Sequence, residues 1–429
     1  MSQRQNFFSG ISVFLSFVIS IYAYFINHHF LIVSGLFAWI SLGIFFRVLA
    51  NKKIVAILFG LSVIIFLFSL LSGYEIDYFR MFTVNQYLLS LLIGVGFLRL
   101  ITIPKSELKE LPKGKSAWFK SYVSVHLFSS VINLSALILV ADRLNKQASL
   151  SKTQIILLTR AFATDAYWSP FFVSFGAAMS YLPNLNHTVI FINGILLSFI
   201  AFVVTYFESK KGNFLDINNF SGYPLNVNSL IVPFILAVNI LFVKYFFSEL
   251  NTVVLISLFS FGFVLLVLPF KQGFIKSFFT LKKHVYEELP KMKSELSLFI
   301  VAGMFGYLLS VLLKGQGVDI SFLGFDWIYA SVLLAIFILL GLVGIHPLIS
   351  IAILGDFLLD VDHTLFAVMF LMAWSITIAS SVFSGLNLTI SARYNIEAKE
   401  IFELNIFYVI KMYFVGVISL YTISKLLNI

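Results

Sequence analysis

Tyr167-Trp168-Ser169-Pro170-Phe171-Phe172-Val173-Ser174 and Gly344-Ile345-His346-Pro347-Leu348-Ile349-Ser350 each place a proline deep inside a long apolar segment. Proline removes a backbone donor and pushes the preceding residue out of helical geometry. Hydrocarbon tolerates such a break only where protein or a water-filled cavity surrounds it. Two breaks of this kind in one chain point to a site. Ser169-Pro170 is also a helix-start pair, with serine as cap and proline in the first turn, and His346-Pro347 is the same pair with a weaker cap. The half-helix after each proline is expected to present free N–H groups and a positive dipole end within the membrane, which makes an anion site out of backbone.

Apolar runs of spanning length surround both stretches: 60% of the 429 residues are hydrophobic and only 11% are charged. The chain reads as an all-α polytopic membrane protein with about 11–14 transmembrane segments. The polar runs near Pro104 to Lys120, Glu208 to Asn228 and Lys271 to Glu295 are too short to fold as soluble domains. The formal charge of +9 gathers at span ends, as in cytoplasmic loops, and so speaks for topology rather than for nucleic acid. With no cysteine there is no disulfide, thiolate metal site or thiol nucleophile. The sequence has no Walker loop, no His-Glu-x-x-His and no large external loop with arginine and histidine, so an enzyme is not expected.

The first quarter reads as spans at about Phe7 to Ile26, Phe30 to Leu49, Ile54 to Leu71 and Val84 to Ile103. Arg47, Lys52 and Lys53, then Arg99, Lys105, Lys109, Lys113, Lys115 and Lys120, mark two cytoplasmic connections and put Met1 inside. A bacterial inner (plasma) membrane is the expected location. His28 and His29 read as a polar turn rather than a metal site.

Three anchors suggest a duplication. Glu110-Leu111-Pro112-Lys113-Gly114-Lys115-Ser116 matches Glu288-Leu289-Pro290-Lys291-Met292-Lys293-Ser294, 178 residues on. Pro170 and Pro347 are 177 apart, and His187 and His363 are 176 apart. The predicted units are 1–103, a four-span segment outside the duplication, 104–280 and 281–429. Each repeat is expected to hold a span (Tyr122 to Val140, Leu298 to Leu313), a proline-broken segment (Ile155 to Leu182, Trp327 to Leu358) and a further span (Val189 to Phe207, Leu365 to Phe383). If the first broken segment crosses, the two lysine-rich loops fall on opposite sides as inverted repeats; if it is a re-entrant hairpin, both stay inside. Charge favours the hairpin.

Asp165, with Arg160 and Thr164, lies within an apolar segment, where a carboxylate must be paired, protonated or bound to a cation; Asp165 reads as a proton or sodium site or as a gate linked to Arg160, against the alternative of rim charges. His346 is a candidate proton carrier. The cluster Ser129-Ser130-Val131-Ile132-Asn133-Leu134-Ser135 is read mainly as helix packing, with Asn133 as a cation ligand. Ser384-Gly385-Leu386-Asn387-Leu388-Thr389 is the stronger binding candidate, because glycine and asparagine together suggest irregular backbone.

Paired repeats, proline breaks and the Ser384, Asn387 and Thr389 run resemble the ion transporter superfamily, which includes divalent-anion/sodium symporters and arsenite/antiporter-type permeases. That resemblance covers about 104–429 and implies a re-entrant hairpin with a Ser-Asn-Thr type tip and a broken helix in each repeat. The expected function is secondary transport of a small carboxylate-like organic anion, coupled to sodium or protons and without a cofactor. Substrate is expected at Ser169, Pro170, His346, Pro347, Ser350, Ser384, Asn387 and Thr389, and the coupling ion at Asp165, Thr164, Asn133 and His346. Membrane lipid is the other expected partner, and a homodimer is left open. The alternative is a polysaccharide or lipid-linked sugar flippase or polymerase.

Overall fold

The computed structural model describes residues 3–102, 111–211, 220–225, 231–318, 324–358 and 361–429. Met1, Ile103, Pro104, Lys105, Lys109, Glu110 and Asn228 of the sequence reading lie outside the described residues. Regular structure among the described residues is helical, apart from one bridge between Lys113 and Ser221. Nine of the described helices are long and apolar enough to cross a membrane, as an integral membrane protein requires.

Helices α1 (Gln3–Phe25) and α2 (Leu31–Phe45) run antiparallel along a seam of small residues, where Ser34 donates to the Ser16 carbonyl at 2.6 Å and Ser12 to the Phe37 carbonyl at 2.7 Å. Small residues let helix backbones approach where lipid supplies no hydrophobic drive, and interhelical hydrogen bonds in such seams contribute about 0.6 kcal/mol each. Helix α3 (Lys52–Leu71) follows, then α4 (Tyr78–Thr83), capped by Asp77, and α5 (Gln86–Thr102). Gln86 anchors the seam by accepting from Ser16 and Ser34 at 3.3 and 3.1 Å.

The end of the bundle where α1 starts is called here the near end. It also holds the α2–α3 connection, where Asn51 donates to the Ser294 carbonyl at 3.1 Å, and the last turn of α5, where Arg99 pairs with Glu288 at 2.7 Å. At the far end the Asn251 N–H donates to Tyr24 at 2.7 Å, and Tyr181 donates to Asn85 at 2.9 Å.

The expected span from Tyr122 to Val140 is two helices, α6 (Lys115–Ile132) and α7 (Leu134–Asn145), broken at Asn133 with φ +49°. Trp118 of α6 packs on Tyr206, close to the near end, and α7 returns there, where Asp142 meets Arg393 at 2.7 Å. The pair is a re-entrant hairpin. Helix α8 (Lys152–Ala163) starts at the near end under a Ser151–Gln154 capping box. A 3-10 turn at Thr164–Tyr167 and an irregular stretch interrupt it, and α9 (Val173–Tyr181) reaches the far end. The first proline-broken segment therefore crosses, contrary to the hairpin that charge favoured; the fold-back lies one element earlier, at an asparagine.

Helix α10 (His187–Lys211) returns to the near end, α11 (Ile231–Phe246) leads back to the far end, and α12 (Thr252–Gln272) ends beside Ile101, whose carbonyl accepts from Lys271 at 2.6 Å. The short amphipathic α13 (Phe274–Lys283) leads into α14 (Lys293–Gly315), which crosses to the far end and packs Gly315 on Tyr74. Helix α15 (Trp327–Leu342) starts at that end, with Phe325 on Phe366, descends until Gly341 touches Thr377, and turns. Helix α16 (Pro347–Leu354) climbs back to Tyr181, so the second proline sits at the tip of a second hairpin, entered from the far end. Helix α17 (His363–Ser380) crosses toward the near end, breaks at Ser381 to Ser384 and continues as α18 (Gly385–Tyr394); α19 (Ala398–Leu427) crosses back.

Two helix groups result. One contains α1, α2, α3, α5, α12 and α14; the other contains α6 to α10 and α15 to α19, and they meet mainly where α14 packs on α16 and α5 on α9. The turns before α10 and α17 touch: the Asn184 N–H donates to His363 at 3.1 Å and the Asn186 N–H to Thr364 at 3.0 Å. A Cβ built on Gly355 would lie 2.7 Å from the Tyr181 ring. Tyr181→Cys with Gly355→Cys, in a chain with no native cysteine, is expected to cross-link on mild oxidation, read as joined peptides by mass spectrometry. Unjoined peptides would mean that α9 and α16 do not end together.

Candidate functional site

Each hairpin tip meets a helix break. At the first junction Ser169 donates to the Ser130 carbonyl, accepts from the Phe171 N–H at 3.3 Å, and the Asn133 amide donates to the Phe171 carbonyl at 3.4 Å. Backbone groups freed by the interruption are thus closed by side chains of the neighbouring element, as a dry interior demands. The expected helix start at Ser169-Pro170 is corrected here: α9 begins at Val173, with Phe172 at its cap position and no side-chain cap. Ser169 points back toward α6, so its hydroxyl is spent on the hairpin and Pro170 lies in the irregular stretch.

Asp165 is fully buried beside this junction. Its Oδ1 lies 2.9 Å from His126 Nδ1, and its Oδ2 accepts from Ser129 at 2.5 Å. Thr164 Oγ1 is 3.0 Å from the same Nδ1, and the Trp168 indole N–H donates to His126 Nε2 at 3.2 Å. Thr164, Asp165, Asn133, Ser169 and Pro170 are therefore neighbours, as the sequence reading grouped them in part. His126 and Trp168 were missed as functional residues. The available signal was spacing: His126 and Ser129 share one face of α6, three residues apart.

Arg160, one turn before the break, is completely buried and fully engaged. It donates to Asn405 at 2.8 Å, to Glu208 at 2.6 Å and to the Leu404 carbonyl at 3.1 Å, and its guanidinium lies 4.3 Å from the Tyr408 ring centre. Lys411 completes the pairing of Glu208. This network ties α8 and α10 to α19; it does not reach Asp165, so the expected gate between the two is not built that way.

At the second junction His346 caps α16 as expected, accepting from the Leu348 N–H at 3.2 Å with Pro347 in the first turn. Its ring meets Trp374 edge-on at 4.6 Å, and Gly344, at φ +102°, lies against Phe383 in the break of α17–α18. Ser384 caps α18, and buried Asn387 donates to the carbonyls of Ala379 and Ser381 at 3.2 and 2.9 Å while its own oxygen is unpartnered. Ser350 is buried one turn into α16; Thr389 is spent on the Gly385 carbonyl and is not drawn into the junction. Ser375 links the two sites by donating to the Ala163 carbonyl at 2.7 Å, next in sequence to Trp374. Among the described residues no group of three or more His, Asp and Glu could hold a metal ion.

Comparison with protein-family models and with curated proteins gives no match.

Replacing Arg160 by Met strips Asn405 and Glu208 of their buried cation, a loss in the range of about 3–5 kcal/mol. The exposed Arg393–Asp142 pair is the control: Arg393→Ala is expected to cost no more than about 1 kcal/mol. Thermal unfolding of the two variants in detergent checks the contrast, and equal losses would mean that the Arg160 network carries no special weight.

Proposed function

We propose that this chain is a secondary active transporter of a small, carboxylate-like organic anion, coupled to sodium or protons and needing no cofactor or covalent step. The observation that carries this reading is the pair of hairpin tips, entered from opposite ends of the bundle, each set against a break in a crossing helix. Irregular backbone inside a membrane bundle is where known transporters hold substrate and ions. The N–H groups at the starts of α16 and α18 and the free oxygen of Asn387 supply the polar surface at the second junction.

In this reading the duplication is inverted and covers nearly the whole chain. Helices α1, α2, α3 and α5 pair with α10, α11, α12 and α14; the hairpin α6–α7 pairs with α15–α16, and the broken α8–α9 with α17–α18, each partner running the opposite way. Pro170 and Pro347 are then not equivalents, since one lies in a crossing element and the other at a hairpin tip. In the same reading four crossings separate the two lysine-rich loops, which puts both on one side. Lys52, Lys53, Lys113, Lys115, Lys291 and Lys293 all lie toward the near end, which makes that end cytoplasmic by the positive-inside bias.

The likeness to the ion transporter superfamily, a hairpin and a broken helix in each half, supports the same reading, although the asparagine at a hairpin tip is Asn133, while Ser384 and Asn387 sit in a broken helix. A flippase for sugar lipids would need free basic groups in the interior, and Arg160 is wholly committed. Proteoliposomes loaded against sodium or pH gradients and offered radiolabelled succinate, citrate or acetate test the proposal. Uptake that follows one gradient and falls at least about tenfold in Asn387→Ala is expected; gradient-independent behaviour for every anion would sink it.

A further inference from the structure

We propose that His126 Nε2 is the proton-binding site that couples this transporter to a pH gradient, with Trp168 as the group displaced when the proton binds. The inference rests on the transport reading for its role, but its chemistry stands on the junction itself.

An indole N–H is a donor only, so the ring nitrogen that it meets must be an acceptor. Trp168 faces Nε2 at 3.2 Å, which leaves the single proton of a neutral imidazole on Nδ1, facing Asp165 at 2.9 Å. Asp165 accepts from Ser129 at Oδ2, its Oδ1 lies 2.9 Å from Nδ1, and Nδ1 also faces the Ala161 carbonyl at 3.2 Å; with a neutral imidazole and an ionised Asp165 the assembly carries one net negative charge. A buried negative charge in a membrane bundle calls for a cation. A proton that binds Nε2 converts the acceptor into a second donor opposite the indole N–H. The two cannot share 3.2 Å, so the proton enters from solvent only as Trp168 leaves. The resulting imidazolium stays paired with Asp165, and the charge of the assembly is neutralised.

Displacement has a structural consequence because Trp168 opens the irregular stretch between the 3-10 turn and α9. It follows the 3-10 turn with φ −143°, its N–H and that of Ser169 are held by the Asp165 carbonyl, and its ring packs on Phe191 of α10. The imidazole side of the pair is the open one: the His126 side chain keeps 16% exposure, against none for Asp165. Besides Asp165, the titratable and charged groups near His126 come from α6, α8, the 3-10 turn, α10 and α19. Tyr122 stacks on it from the same helix; Arg160 from α8, Glu208 from α10 and Lys411 from α19 are committed to each other; Tyr167 and Tyr408 are neutral phenols.

Nitrogen-15 NMR of histidine-labelled protein in detergent reads the tautomer directly. A neutral Nδ1–H signal that vanishes in His126→Gln and converts to imidazolium between pH 9 and pH 5 is expected. In Trp168→Phe the ratio of charged to neutral imidazole at a given pH should rise about fivefold, the weight of one ordinary hydrogen bond. An Nε2–H tautomer, or a ratio unmoved by Trp168→Phe, overturns the proposal even if both variants fold. In sodium-free liposomes containing pyranine, succinate-driven proton entry that is lost in His126→Gln supports the coupling role. Sodium-driven uptake indifferent to His126→Gln overturns coupling while the transporter reading survives; no carboxylate uptake under any gradient removes the transporter reading, whatever the NMR shows.

Discussion

Every peptide group released by a break inside this bundle has to be satisfied by something other than water. That requirement organises the molecule. The first break is closed by Ser169 on Ser130, Asn133 on the Phe171 carbonyl, Ser174 on the Ala166 carbonyl at 3.0 Å and Ser198 on the Thr164 carbonyl at 3.0 Å. The second is closed by Ser384 on the Ile378 carbonyl at 2.9 Å and by Asn387. At the first junction these short polar side chains come from the break itself, the hairpin tip, α9 and α10, so that break fixes where the hairpin, the crossing helix and α10 stand relative to one another; at the second both come from the start of α18 and close the break locally. In lipid an unmet backbone group costs several kcal/mol, more than the packing of one small-residue seam returns.

How much of this was legible follows from what each signal measures. Apolar length located the helices well: α1, α3, α10 and α17 lie within a few residues of their expected spans, because twenty apolar residues have one low-energy form in a membrane. Direction was harder. Hydropathy does not distinguish a helix that crosses from one that enters and returns, and the α6–α7 hairpin hid inside a continuous apolar run because its tip is an asparagine at φ +49° rather than a proline. Proline chemistry was right for His346-Pro347, where no competing acceptor draws the cap away, and wrong for Ser169-Pro170, where the Ser130 carbonyl does. Pro170 and Pro347 share a spacing but not a setting: one lies in the irregular stretch before α9 and the other opens α16.

The site was legible in its residue types and not in its partners. Asp165 in an apolar run announces that a counter-group exists; only the folded chain shows that it is His126, thirty-nine residues earlier in sequence and next to it in space. Arg160 looked like its natural partner by proximity in sequence, yet helical geometry turns the two in different directions. Arg160 faces α10 and α19, while Asp165 faces α6.

The Arg160 network also sets an order for biogenesis. Its partner Asn405 is 245 residues downstream. At about 5–20 residues per second, the ribosome delivers that partner on the order of 10–50 seconds after the arginine. For that interval α8 carries a guanidinium whose main protein acceptor is Glu208, and the helix cannot settle into its final seat until α19 has been made. The last helix of the chain is thus the closing piece of a region begun in its first half, and a nascent chain stopped before α19 would hold a buried charge with half of its contacts missing.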